Sequence, residues 1–121
     1  MDDAPRILVV EDEYLIALEL HDVLTAAGYQ VLGPAGDVDA ALSLLKAERP
    51  DAAILDVNLA GQWVTPVAEV LRAASVPFIL ASGYIAADLQ AAPALRDAVN
   101  VGKSWRPEFL LKVLSAELMQ T

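Results

Sequence analysis

Carboxylates stand where the apolar runs of this chain end. Ala52-Ala53-Ile54-Leu55 is followed by Asp56 and then Val57-Asn58-Leu59-Ala60-Gly61, and Ile7-Leu8-Val9-Val10 is followed by Glu11-Asp12. If both runs are parallel strands, Glu11, Asp12 and Asp56 meet at one edge of a sheet. Three clustered carboxylates repel one another unless a cation or a proton lies between them. Mg2+ takes oxygen ligands in octahedral geometry and keeps several waters, so two or three carboxylates with one carbonyl would suit it. Ser82 closes a further apolar run and offers a hydroxyl, while Lys103 follows another and offers a positive charge. A metal, an ammonium and a hydroxyl around one carboxylate fit phosphoryl transfer, which needs positioning and charge neutralisation more than covalent help. In that chemistry Asp56 is the nucleophile and forms an acyl phosphate.

Positioning these groups falls to short apolar runs that alternate with segments of helical period. The expected strands are Arg6–Val10, Gln30–Gly33, Ala52–Leu55, Pro77–Ala81 and Ala98–Val101. The first, third and fourth are nearly continuous apolar stretches, as strands covered on both faces are. In Tyr14–Ala27, the residues Ile16, Leu20, Val23, Leu24 and Ala27 share a helical face, and Gly28 is a stop signal. Asp37 is a natural N-cap for a helix carrying Val38, Ala41, Leu42 and Leu45, which Pro50 ends. Thr65–Ala74 has Pro66 near its first helical position, and Pro107–Met119 aligns Leu110, Leu111, Leu114 and Leu118. Residues 85–97 are Ala-rich with Pro93 in the middle, which predicts a short helix at most. Five βα units predict an α/β fold: a doubly wound, five-stranded parallel sheet of flavodoxin-like order 2-1-3-4-5, with helices on both faces. Sites in such sheets lie beyond the carboxyl ends of the strands, where Glu11, Asp12, Asp56, Ser82 and Lys103 all fall.

The chain has 121 residues, 56% of them hydrophobic, which fits one folded domain spanning residues 1–121. No apolar stretch approaches the ~20 residues of a membrane helix, so no membrane association is expected. Met1-Asp2-Asp3-Ala4-Pro5 lacks the basic start and apolar core of a secretory signal, and the default location is cytoplasmic. The absence of cysteine excludes disulfides and thiol chemistry. A net charge of −9 with scattered Lys and Arg argues against direct nucleic-acid binding. Gly33, Gly36 and Gly61 read as turn glycines, and no Gly-rich phosphate loop is present.

Taken together, Val9-Val10-Glu11-Asp12-Glu13, Leu55-Asp56-Val57-Asn58-Leu59, Ala81-Ser82-Gly83 and a lone strand-end Lys103 resemble the receiver domain of two-component response regulators. No single motif is specific, but five coincident positions on five expected elements are. The resemblance covers essentially the whole chain. It implies that Glu11, Asp12, Asp56 and the backbone carbonyl of Asn58 hold Mg2+. It also implies that Asp56 accepts phosphate from a sensor histidine kinase or phosphotransfer protein, with Ser82 and Lys103 contacting the phosphoryl group. The output would be a downstream protein bound through the face of the fourth helix, fifth strand and fifth helix. Such a protein is not an enzyme beyond self-phosphorylation and slow autodephosphorylation. Pro77-Phe78-Ile79-Leu80-Ala81-Ser82-Gly83-Tyr84 is also similar to a receiver subgroup nicknamed FAT GUY, whose members often stand alone or serve stress signalling with kinases of the HWE or related type. Here Leu80 replaces its Phe and Ser82 its Thr. With the last helix ending near Thr121, no DNA-binding or catalytic output domain is expected.

Two departures from the family bear on mechanism. Receivers usually have Pro after the lysine, with a cis bond; here Ser104 follows Lys103, and a cis bond before a non-proline costs ~2.5–4 kcal/mol. Many receivers also carry an aromatic three positions before the lysine that swings on phosphorylation; Asn100 holds that place, and Tyr84 is a candidate substitute. These departures support a rival reading, a receiver-like interaction module no longer regulated by phosphorylation. Another rival is a small flavodoxin-like enzyme. A flavin binder needs a polar phosphate loop where this chain has Glu11-Asp12-Glu13. A Mg2+-dependent phosphohydrolase usually has a second acid where Asn58 stands. Individually the residues have plain readings: Glu11-Asp12 as a solvated helix-leading turn, Ser82-Gly83 as a turn, Lys103 and His21 as surface residues, and Trp63 and Trp105 as loop residues covering core edge.

Overall fold

A computed structural model describes residues 4–84 and 86–119. Expectations resting on Met1–Asp3, Ile85, Gln120 and Thr121 lie outside the described residues. The element order is β1 (Arg6–Val10), α1 (Tyr14–Ala26), β2 (Gln30–Ala35), α2 (Val38–Ala47), β3 (Ala52–Leu55), β4 (Asn58–Leu59), β5 (Gln62–Trp63), α3 (Thr65–Ala73), β6 (Phe78–Leu80), α4 (Ala86–Leu89) and α5 (Pro107–Met119). The main sheet is parallel in the order β2-β1-β3-β6.

Why the strands are apolar throughout follows from the two-residue alternation of side chains. Leu8 and Val10 of β1, Ala53 and Leu55 of β3, and Phe78 and Leu80 of β6 enter one core, packed with Val38 and Ala41 of α2 and Val67, Ala68 and Leu71 of α3. Ile7, Val9, Ala52, Ile54 and Ile79 enter the other, with Leu20 and Leu24 of α1 and Leu110 and Leu114 of α5. Trp105 is buried in this second core, and its indole N–H has no hydrogen-bond partner among the described residues. It lies in the loop that leads into α5 and covers the core there, as its residue type suggested. Among the described residues no helix is long and apolar enough to cross a membrane.

Local chemistry sets the helix starts. The Asp37 side chain accepts from the Ala40 N–H at 2.7 Å, capping α2 as its residue type predicts. Proline stands in the first turn of α3, where a missing N–H costs nothing.

Two parts of the architecture differ from expectation. The fifth strand, expected at Ala98–Val101, is reduced to one parallel bridge, Leu80 with Asn100. Leu80 N–H donates to the Val99 carbonyl and Val101 N–H to the Leu80 carbonyl, both at 2.8 Å. The next rung would use the Ser82 N–H, but that group donates to the Asn100 side chain at 3.1 Å, and the ladder stops there. The second difference is the antiparallel hairpin β4–β5 after Asp56, which places Trp63 in a strand. Ala60 (φ 53°) and Gly61 (φ 93°) form its turn, with positive φ at both central residues as a tight hairpin requires. The Asn58 side chain steadies it by accepting from the Gly61 N–H at 2.7 Å.

Candidate functional site

Strand register brings the carboxylates together. Val10 pairs with Leu55 across β1 and β3, so Glu11 and Asp56 follow on neighbouring strands, about 4.8 Å apart in the sheet's hydrogen-bonding direction. The Asp56 N–H extends the ladder to the Val10 carbonyl at 2.8 Å, and the Glu11 N–H reaches the Ala35 carbonyl at 2.9 Å. Leu55 pairs with Leu80 of β6, and this puts Ser82 at the same edge. Among the described residues Glu11, Asp56 and Ser82 are the buried polar or charged ones, while Asp12 is exposed at the rim. Carboxylate oxygens of Glu11, Asp12 and Asp56 lie within 4.8 Å of one another.

Lys103 completes the cluster. Its Nζ lies 2.9 and 3.1 Å from the two Glu11 oxygens, 3.1 Å from Asp56 Oδ2 and 3.4 Å from Glu13 Oε1. Glu11 Oε2 also accepts from the Glu13 N–H at 3.0 Å. An ammonium of this same chain thus lies against two of the three acids, Glu11 and Asp56. The Lys103–Ser104 bond is trans, since the cis bond among the described residues is Gly33–Pro34. The missing proline therefore leaves the lysine able to reach its acids.

The electrostatics follow from burial. Burial raises the Glu11 carboxyl above the ordinary glutamate range, which the Lys103 ammonium and the Glu13 N–H offset only in part; the Asp56 charge adds to the rise. Burial alone would lower Lys103, but its hydrogen bonds to Glu11 and Asp56 outweigh that and hold it above the usual lysine range.

Asn58, Tyr84, Gly83 and Asp88 line the open cavity above Asp56, of about 490 Å³. Asn58 Nδ2 donates to the Tyr84 hydroxyl at 3.0 Å, and the Tyr84 ring meets Trp63 at 5.3 Å between centroids. Tyr84 N–H donates to Ser82 Oγ at 3.2 Å. All five strand-end residues singled out from sequence converge here, and Asn58 joins them. Sequence reasoning missed Glu13 as a lysine partner and the side-chain roles of Asn58 and Asn100. For Asn100 the available signal was a polar amide between Val99 and Val101 at a strand end. His21 is on α1, half-buried, with its Nδ1 3.5 Å from Asp22 Oδ1.

A family model for the response regulator receiver domain matches residues 7–114. The chain belongs to this family. The transcriptional regulatory protein PdtaR of Mycobacterium tuberculosis is 31% identical to this receiver over 85 residues, which are 69% of this chain and 42% of that protein. The phyllosphere-induced regulator PhyR of Methylorubrum extorquens is 31% identical over 86 residues, 69% of this chain and 32% of PhyR. The receiver thus spans less than half the length of these curated relatives. Among solved structures, SdrG of Pseudomonas melonis in its BeF3-activated conformation is 38% identical at a TM-score of 0.78, covering 96% of this chain and 98% of that one. PhyR of Brucella abortus is 26% identical at a TM-score of 0.81, covering 98% and 49%.

Proposed function

We propose that this receiver accepts a phosphoryl group on Asp56 from a sensor histidine kinase or a phosphotransfer protein, and uses the modified state to change its hold on a protein partner. The observation that carries this reading is the buried Glu11–Asp56–Lys103 arrangement, with Asp12 and Ser82 at the same edge. An Asp56 carboxylate oxygen attacks phosphorus as the bond to the donor nitrogen breaks, leaving an acyl phosphate on Asp56 and returning the nitrogen's electron pair to the donor. Lys103 exchanges its bond to Asp56 Oδ2 for one to a phosphoryl oxygen. The Ser82 hydroxyl accepts from Tyr84 N–H and so keeps its own hydrogen for a second phosphoryl oxygen.

The donor set fits Mg2+: carboxylates with no nitrogen or sulfur ligand, close enough to share one small cation. Glu11, Asp12 and Asp56 would hold it, with the Asn58 backbone carbonyl completing the protein's share. The ion supplies charge neutralisation for the transferring group.

In this reading the chain is a signalling module, with self-phosphorylation and slow autodephosphorylation as its only chemistry. It works in the cytoplasm and contacts neither DNA nor membrane. Its partner binds the surface of α4, the segment 98–101 and α5. Beryllofluoride is the test, and its choice is supported by SdrG, which is 38% identical and has a BeF3-activated conformation. Amide NMR spectra with Mg2+ and then beryllofluoride are expected to show saturable shifts around Asp56, Ser82 and Lys103, absent in Asp56→Asn. A well-folded wild-type chain that ignores beryllofluoride would sink the phosphoacceptor reading.

A further inference from the structure

Asn100 stands where the sheet's ladder ends, between the segment that carries Ser82 and the one that carries Lys103. Its Oδ1 accepts from the backbone N–H groups of Ser82 at 3.1 Å and Gly102 at 2.9 Å, and its Nδ2 donates to the Tyr84 carbonyl at 2.8 Å. A primary amide has one acceptor atom with two lone pairs and one donor atom with two hydrogens. Both lone pairs and one hydrogen are therefore used. The orientation of the amide is fixed by its neighbours: turned over, its NH2 would face two N–H donors and its oxygen a carbonyl. Gly102 has φ 83°, a conformation that side chains rarely adopt, and it directly precedes Lys103.

We propose that Asn100 is a positioning residue for the phosphoryl site, clamping the Ser82 and Lys103 segments at a set separation before any phosphoryl group arrives. This rests on the phosphoacceptor reading of Asp56. Groups held in place beforehand need no reorganisation when charge arrives, which is where most of their value lies. Through Tyr84 the same clamp reaches the hairpin: the Tyr84 carbonyl is held by Asn100, its N–H by Ser82 and its hydroxyl by Asn58. The carboxamide thus closes a hydrogen-bonded circuit around the mouth of the site while touching none of the proposed metal ligands.

That separation gives the test. Asn100→Leu, of similar size but without hydrogen bonds, and Asn100→Asp, which keeps the acceptor oxygens, are compared with the wild type. Three quantities are read: Mg2+ affinity from the Glu11 and Asp12 amides, beryllofluoride affinity at saturating Mg2+, and hydrogen exchange at the Ser82 and Gly102 amides. Asn100→Leu is expected to hold Mg2+ within about twofold of wild type yet weaken beryllofluoride by about tenfold or more, the scale of a small misplacement. Exchange at Ser82 and Gly102 should quicken together in Asn100→Leu and quicken less in Asn100→Asp, which keeps the acceptor but loses the donor to the Tyr84 carbonyl. Unchanged exchange in Asn100→Leu would overturn the clamp, and so would a parallel loss of Mg2+ and beryllofluoride binding, which signals general loosening. If the wild type binds Mg2+ but not beryllofluoride, the phosphoacceptor reading fails by itself. The exchange data then still decide whether Asn100 links the two segments.

Discussion

At the scale of single residues, Lys103 carries two opposing duties. Its ammonium neutralises Glu11 and Asp56, which are nearly inaccessible to water, and under the proposed phosphorylation it would have to let go of Asp56. Removing one partner of a buried charge cluster leaves the others uncompensated, and breaking a fully buried pair costs several kcal/mol. Lys103 is partly solvated, so Lys103→Ala is expected to lose about 1–3 kcal/mol in Mg2+-free denaturant titrations. Saturating Mg2+ should restore part of that loss by replacing the missing charge. Glu11 gives a pH prediction. Its folded-state pKa is raised, so the protonated form is favoured by folding. The stability that Glu11 contributes is present below the ordinary glutamate value of about 4.3 and is lost as pH rises through the higher folded value. The proposed Mg2+ binding runs the other way, because it requires the ionised carboxylate. Mg2+ affinity should therefore climb with pH through a range above that of a solvent-exposed glutamate, and Glu11→Gln should flatten the climb in a pH series of Mg2+ titrations.

At the scale of elements, much was legible because period and register are local properties of the chain. The runs Ile7–Val10 and Ala52–Leu55 had to be strands buried on both faces, and the acids after them then had to meet. Asp37 and Pro66 announced helix starts through backbone chemistry that needs no tertiary partner. What was not legible depended on a side chain competing for backbone groups. Asn100 took the Ser82 N–H from the fifth strand, and Asn58 steadied a hairpin whose turn places Ala60, rather than a glycine, at positive φ. Neither competition leaves a periodic trace. Glu13 as a lysine partner was likewise hidden, because it depends on where a distant loop lands. A backbone constraint also gives the element-scale prediction. A Cβ on Gly33 (φ 98°) would come within 2.8 Å of Ala35 N and 3.0 Å of the Val9 carbonyl, in the middle of the β1–β2 pairing. Those are main-chain atoms that cannot step aside, so Gly33→Ala should destabilise by about 2–3 kcal/mol. The α2 cap variant Asp37→Ala should cost only about 1 kcal/mol in the same urea titration.

For the whole molecule, two cores share one sheet, and the site sits on the sheet's carboxyl edge between them. A ligand that binds only the folded chain stabilises all of it. Mg2+ at a hundredfold above its dissociation constant should add about 2.7 kcal/mol to unfolding, read by calorimetry, and little in Asp56→Ala. The net charge of −9 adds long-range repulsion that a divalent ion eases, so the gain should shrink at high ionic strength. The indole of Trp105, unpartnered among the described residues, has an optical consequence. A buried N–H without a partner carries a desolvation cost, so Trp105→Phe loses ring contacts but is relieved of that cost and should fall within about 1 kcal/mol of wild type. The chain then emits light from a single indole, Trp63, which leans on Tyr84 at the rim of the cavity above Asp56. Such a variant would serve as its own dye-free optical sensor, able to time the arrival of a phosphoryl analogue in a rapid-mixing cell.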